Sequence, residues 1–173
     1  MRRLPVIQQT AVEDGEAAAR PRWQWCLVGA GLATTIWVPL AVIAAPVGAS
    51  IAARLVHVSP ADIAAGPAGL PASRAASLAL LSALPLLVCF GLAAAAAGAL
   101  VGRFGGRAGA REAGISGAIA AFLVTSVAML GGSGLSTTGF AAALLVLVTT
   151  GAGAGFVGGG FGVRRRSVLG SPR

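Results

Sequence analysis

Charge placement constrains this chain more tightly than any motif, because the charged residues fall in short clusters that leave three long stretches with none. Cys26 to Ala53 and Ala75 to Gly102 are 28 residues each and Ala113 to Val163 is 51, all without Lys, Arg, Asp, Glu or His. A run of about 18 or more apolar residues crosses a hydrocarbon core of roughly 30 Å. As one helix the third stretch would be about 76 Å long, so it holds two spans and a turn. The expected fold is an all-α integral membrane protein with four transmembrane helices over 26–53, 75–102, 113–131 and 138–163, paired as two antiparallel hairpins.

The remaining segments are an N-terminal tail, 1–25, read as disordered; an external loop, 54–74; a connection, 103–112; and a C-terminal tail, 164–173. None is long enough to bury a core of its own. Their arginines give the orientation. Arg2, Arg3, Arg20 and Arg22 precede the first span, Arg103, Arg107 and Arg111 lie between the second and third, and Arg164, Arg165, Arg166 and Arg173 follow the fourth. Only Arg54 and Arg74 fall in the first loop. Basic residues are retained in the cytoplasm, so both termini are expected there. A cleaved signal sequence ending near Val47-Gly48-Ala49 is the competing reading of the first span. Its long apolar run and the acids Glu13, Asp14 and Glu16 ahead of it argue against that.

The net charge of +8 flanks spans and forms no stripe, so the expected partner is a bilayer with anionic headgroups and not nucleic acid. Trp23 and Trp25 are expected as interfacial anchors beside that leaflet, with Arg164, Arg165 and Arg166 at the far end of the chain doing the same. The chain contains no Lys, Asn or Tyr and is dominated by Ala and Gly, the mark of a GC-rich genome. That points to a bacterial inner membrane. It also discounts any conclusion drawn from glycine alone.

Acid-base chemistry has little to work with. His57 and Asp62 are the titratable candidates in the loop, and Ser59-Pro60-Ala61-Asp62 reads as the start of a short interfacial helix. No phosphate loop, zinc-ligand spacing, nucleophile elbow or carboxylate pair occurs, so no catalytic residue, metal or cofactor is expected. Cys26 and Cys89 lie at different depths and are not expected to pair. Within the spans the polar atoms are hydroxyls: Thr34 and Thr35, Ser77 and Ser82, Thr125 and Ser126, Thr149 and Thr150. The last two doublets lie at about the same depth and would meet if their helices faced each other. They would then either line a polar constriction or bond their own helix carbonyls. Pro39, Pro46 and Pro85 interrupt two spans and read as tolerated bends.

The clearest contact signal is glycine at a four-residue period, Gly151, Gly155 and Gly159, with Gly158 and Gly162 as a second row and Gly98 and Gly102 repeating the spacing in the second span. Such rows let helix backbones approach closely. They serve either packing within one chain or a homo-oligomer, or another membrane protein. Gly102-Arg103-Phe104-Gly105-Gly106-Arg107 and Gly159-Gly160-Phe161-Gly162-Val163-Arg164 share the ending G-x-F-G-x-R, which raises a duplicated hairpin as a second possibility. The functional expectation is a non-catalytic inner-membrane protein acting through helix packing, as scaffold, accessory subunit or envelope component. The alternative is an oligomeric channel or passive facilitator for a small neutral solute.

Overall fold

Prolines and left-handed residues, more than loss of hydrophobicity, bound the first two helices. The structure, a computed structural model, describes residues 21–59, 70–106, 108–130 and 137–169. Its helices are α1 (Arg22–Val56), α2 (Ala72–Phe104), α3 (Ala110–Leu130) and α4 (Thr137–Leu169). All four are long and apolar enough to cross a membrane, the architecture of a multi-pass membrane protein. α1 and α2 start immediately after Pro21 and Pro71. α1 stops where His57 takes φ 56°, and Val58 N–H then bonds to the carbonyl of Ala53 at 3.0 Å. This is a Schellman-type close, with the left-handed position filled by His instead of Gly. The His57 Nδ1–H tautomer also reaches the Arg54 carbonyl at 2.9 Å, so the one loop histidine acts as a helix cap. α2 closes with Gly105 N–H on the Val101 carbonyl, 2.8 Å, and Gly106 at φ 58°.

The helices overrun the uncharged stretches at both ends, because a helix satisfies its own backbone at the interface as well as in lipid and continues until something stops it. Residues 22–25 are therefore helical and not part of a disordered tail, and α4 runs on through Arg164 to Leu169, where a tail is expected. No glycine or proline stands between Val163 and Leu169 to end it. Residues 1–20, the 60–69 segment with its expected interfacial helix, and the 131–136 turn lie outside the described residues, as does the side chain of Arg166.

α1 packs on α2 and α3, and α4 packs on the same two, so α1 and α4 stand at opposite corners while α2 and α3 touch across the middle. The facing residues show direction. Along α3 and α4, Gly117 faces Gly151, Ala113 faces Gly155 and Ala110 faces Gly159, so these two helices run oppositely. Along α2 and α4, Ala95 faces Gly158 and Ala99 faces Gly162, so these two run together. Arg22, Arg103, Arg111, Arg164 and Arg165 consequently gather at one end of the bundle, with Arg54 and Arg74 at the other.

The interior is small and the exterior large. Ala30, Ala33, Ala97, Ala113, Ala120 and Ala121 are buried, whereas Val42, Ile43, Leu80, Phe122, Leu145 and Phe156 are exposed. In water that exterior would be one large sticky patch. In lipid it costs nothing, and small interior residues let the backbones close. Phe90 is the large exception, fully buried and edge-on to Trp37 with ring centroids 6.1 Å apart.

Candidate functional site

Glycine leaves a helix with no side chain on one line, and the packing of α4 shows what occupies that line. A methyl group built on Gly158 would overlap the Ala95 carbonyl, and one on Gly162 the Ala99 carbonyl. Gly98 meets the backbone of Gly155 in the same way, and Gly102 that of Gly159. On the α3 side, Gly151 and Gly117 abut each other, and Gly155 presses on the Ala113 carbonyl. Gly159 sits against Ala113 Cβ, which a methyl group would approach to 2.6 Å. The row Gly151, Gly155, Gly159 is thus gripped from both sides within one chain, and all three residues are buried. Backbone atoms cannot yield as a side-chain tip does. Overfilling such a contact costs about 1–3 kcal/mol or more.

Sequence spacing found α4 and the Gly98, Gly102 pair but missed their α3 counterpart. Ala113, Gly117 and Ala121 are small residues four apart and all buried, a signal present in the sequence but carried partly by alanine. Two lone contacts were also missed. Gly29 lets α1 close on Ser116 Oγ and Val101 Cγ2, which a methyl group there would approach to 2.6 and 2.8 Å, and Gly48 lets it close on the Ser82 carbonyl, which a methyl group would approach to 2.7 Å.

Most of the span hydroxyls are turned to their own helices. Thr34 donates to the Ala30 carbonyl at 2.9 Å, Thr125 to Ala121 at 2.7 Å, and Thr149 to Leu145 at 2.9 Å. Ser116, nearly inaccessible, donates to Ala113 at 2.7 Å. The doublets of α3 and α4 do not meet: with Gly117 facing Gly151 and Ala113 facing Gly155, Thr149 is level with Ile119 and about 9 Å short of Thr125, and Thr125 is buried while Thr149 is exposed. The Thr150 methyl lies toward Gly91. Trp37 makes an inter-helix polar contact, donating from Nε1 to the Leu86 carbonyl at 3.4 Å.

Beyond the glycine seam, on the side away from the arginine-rich end, bulkier residues hold the helices apart. A cavity of about 420 Å³ opens there, walled by Leu80 and Leu84 of α2, Thr125 of α3, Val146 and Leu147 of α4, and Trp37. At the arginine-rich end, Trp23 is exposed as an interfacial anchor would be. Trp25 is instead half-buried and packs against Val101, Ala108 and Ala113, so its ring belongs to the core. Arg164 and Arg165 are exposed on α4. Glu112, in the first turn of α3, accepts the Gly109 N–H at 2.8 Å as in a capping box and lies 3.9 Å from Arg22. Among the described residues no three His, Cys, Asp or Glu side chains gather, and Cys26 and Cys89 are both free.

No protein family, curated protein or solved structure matches the chain.

Proposed function

We propose that the chain is a non-catalytic integral protein of a bacterial inner membrane, inserted as two hairpins with both ends in the cytoplasm. It acts through helix packing, as a scaffold, an accessory subunit or a component of the envelope. The observation that carries this reading is the seam. In the arginine-rich half, the space between α2, α3 and α4 is taken up by backbone against backbone, with Ala97, Ala113, Ala120 and Phe90 at zero exposure. A solute passing through one protomer needs a row of available polar groups, and Thr34, Ser116 and Thr125 bond their own helix carbonyls. The cavity of the other half is walled by hydrocarbon. The gathering of arginines at one end supports the orientation, since basic residues are retained in the cytoplasm.

Flux through proteoliposomes tests the reading. Vesicles carrying the purified chain are expected to release glycerol or urea no faster than protein-free vesicles of the same lipid. Release that rises in proportion to protein would overturn it in favour of an oligomeric facilitator whose path runs between protomers.

A further inference from the structure

The contact between α1 and α3 differs from the others. It closes tightly where Gly29 meets Ser116, and toward the arginine-rich end, beside the Trp25 contact with Ala113, an open groove of about 480 Å³ lies between the two helices. Two guanidinium groups border its mouth, Arg22 on α1 and Arg111 on α3, both exposed. Its walls below them are mostly hydrocarbon, Leu27 on α1, then Ile115 and Ile119 on α3, with Cys26 and Glu112 also lining it and the exposed Trp23 ring at the rim. Ile119 lies two turns beyond Arg111, about 12 Å along the axis, close to the depth of one leaflet's hydrocarbon of roughly 15 Å.

We infer that this groove holds one anionic glycerophospholipid, its phosphate between Arg22 and Arg111 and one acyl chain lying along Leu27, Ile115 and Ile119. The inference rests on the membrane reading above. Charge complementarity selects the headgroup. Glu112 is already engaged by the Gly109 N–H and by Arg22, so the mouth carries one net positive charge, which a single phosphodiester neutralises. The walls select a lipid over free phosphate, because only a molecule with a hydrocarbon tail covers Leu27 and Ile115. A zwitterionic lipid fits the walls equally well but adds an ammonium to a site that already has two cations.

Native mass spectrometry of the delipidated full chain in detergent, titrated with phosphatidylglycerol or phosphatidylcholine, reads the groove whichever way the chain is inserted. Its failure therefore leaves the membrane reading standing. One phosphatidylglycerol is expected to bind per chain, in preference to phosphatidylcholine. A basic residue beside an anionic lipid is worth roughly fivefold in binding, so Arg22→Gln with Arg111→Gln should weaken it roughly twenty-five-fold. Glu112→Gln, which keeps an acceptor for Gly109, should tighten it roughly fivefold. Ile115→Trp leaves every charge in place and fills the groove, and should abolish the one-to-one complex. The proposal is overturned if phosphatidylcholine binds equally well, or if Ile115→Trp binds phosphatidylglycerol like the wild type, which would mean attraction to a charged surface only. It is also overturned if inorganic phosphate displaces the lipid, which would make the site one for the anion alone.

Discussion

At the scale of single residues, two glycines on one helix have opposite surroundings. Gly155 is buried with the Ala113 carbonyl against it, whereas Gly153 is exposed with nothing within 4 Å of a built Cβ. Gly155→Leu forces α3 and α4 apart and is expected to cost about 1–3 kcal/mol or more. Gly153→Leu adds the same volume at the same depth toward lipid and should stay within about 0.5 kcal/mol of wild type. Thermal unfolding of the protein in detergent, followed by tryptophan fluorescence, separates them. Equal midpoints would show that the seam is not a stabilising contact. The burial of Gly155 within one chain also bears on the homo-oligomer reading. A second copy would have to dock on another surface, such as the exposed α4 face around Phe156, Val157 and Phe161.

At the scale of elements, α2 and α4 carry nearly the same ending and finish differently. Their aligned glycines meet, Gly98 against Gly155 and Gly102 against Gly159. Beyond them Gly106 takes φ 58° and the chain leaves α2, while Val163, its counterpart in the shared G-x-F-G-x-R, remains helical. A β-branched residue in the left-handed region is costly, so valine here propagates the helix where glycine ends it. Gly106→Val is therefore expected to lose about 1–2 kcal/mol, read as a lower midpoint in a denaturing-detergent titration. Gly106→Asn, which tolerates that region better, should lose less. Equal losses for the two would mean that the left-handed turn is not what the position requires. Similar sequence endings are thus legible as a repeat, but their divergence depends on one Cβ.

At the scale of the whole molecule, the inverted distribution of size, alanine and glycine within and leucine, valine and phenylalanine without, suits a lipid surround. The charge asymmetry then gives a topology to measure. A reporter active only outside the cytoplasm should be silent when fused after Arg173 and active when inserted near Gly66. Activity at the C-terminal fusion would sink the orientation with both ends inside. The two halves of the bundle also differ in packing. The glycine seam closes the arginine-rich end, and an apolar cavity opens toward the other.

The uncharged stretches by themselves determined four apolar helices and where the arginines stand relative to them, because hydrocarbon thickness and the cost of buried charge act on local sequence. The period of Gly151, Gly155 and Gly159 likewise determined that one line of α4 would be smooth. Which helices meet that line was decided only by the tertiary arrangement, since a row of glycines accepts any backbone that can reach it. The same arrangement turned Trp25 inward while leaving Trp23 exposed, although both are tryptophans at one helix end. It also parted Thr125 from Thr149: with Gly117 level with Gly151 and Ala113 with Gly155, Thr125 lies six residues, about 9 Å, beyond the level of Thr149. Distance along one helix can be counted, but the register of one helix against another cannot. Register and rotation are fixed by neighbours on every side at once, and a glycine row marks that a backbone comes close without saying which one.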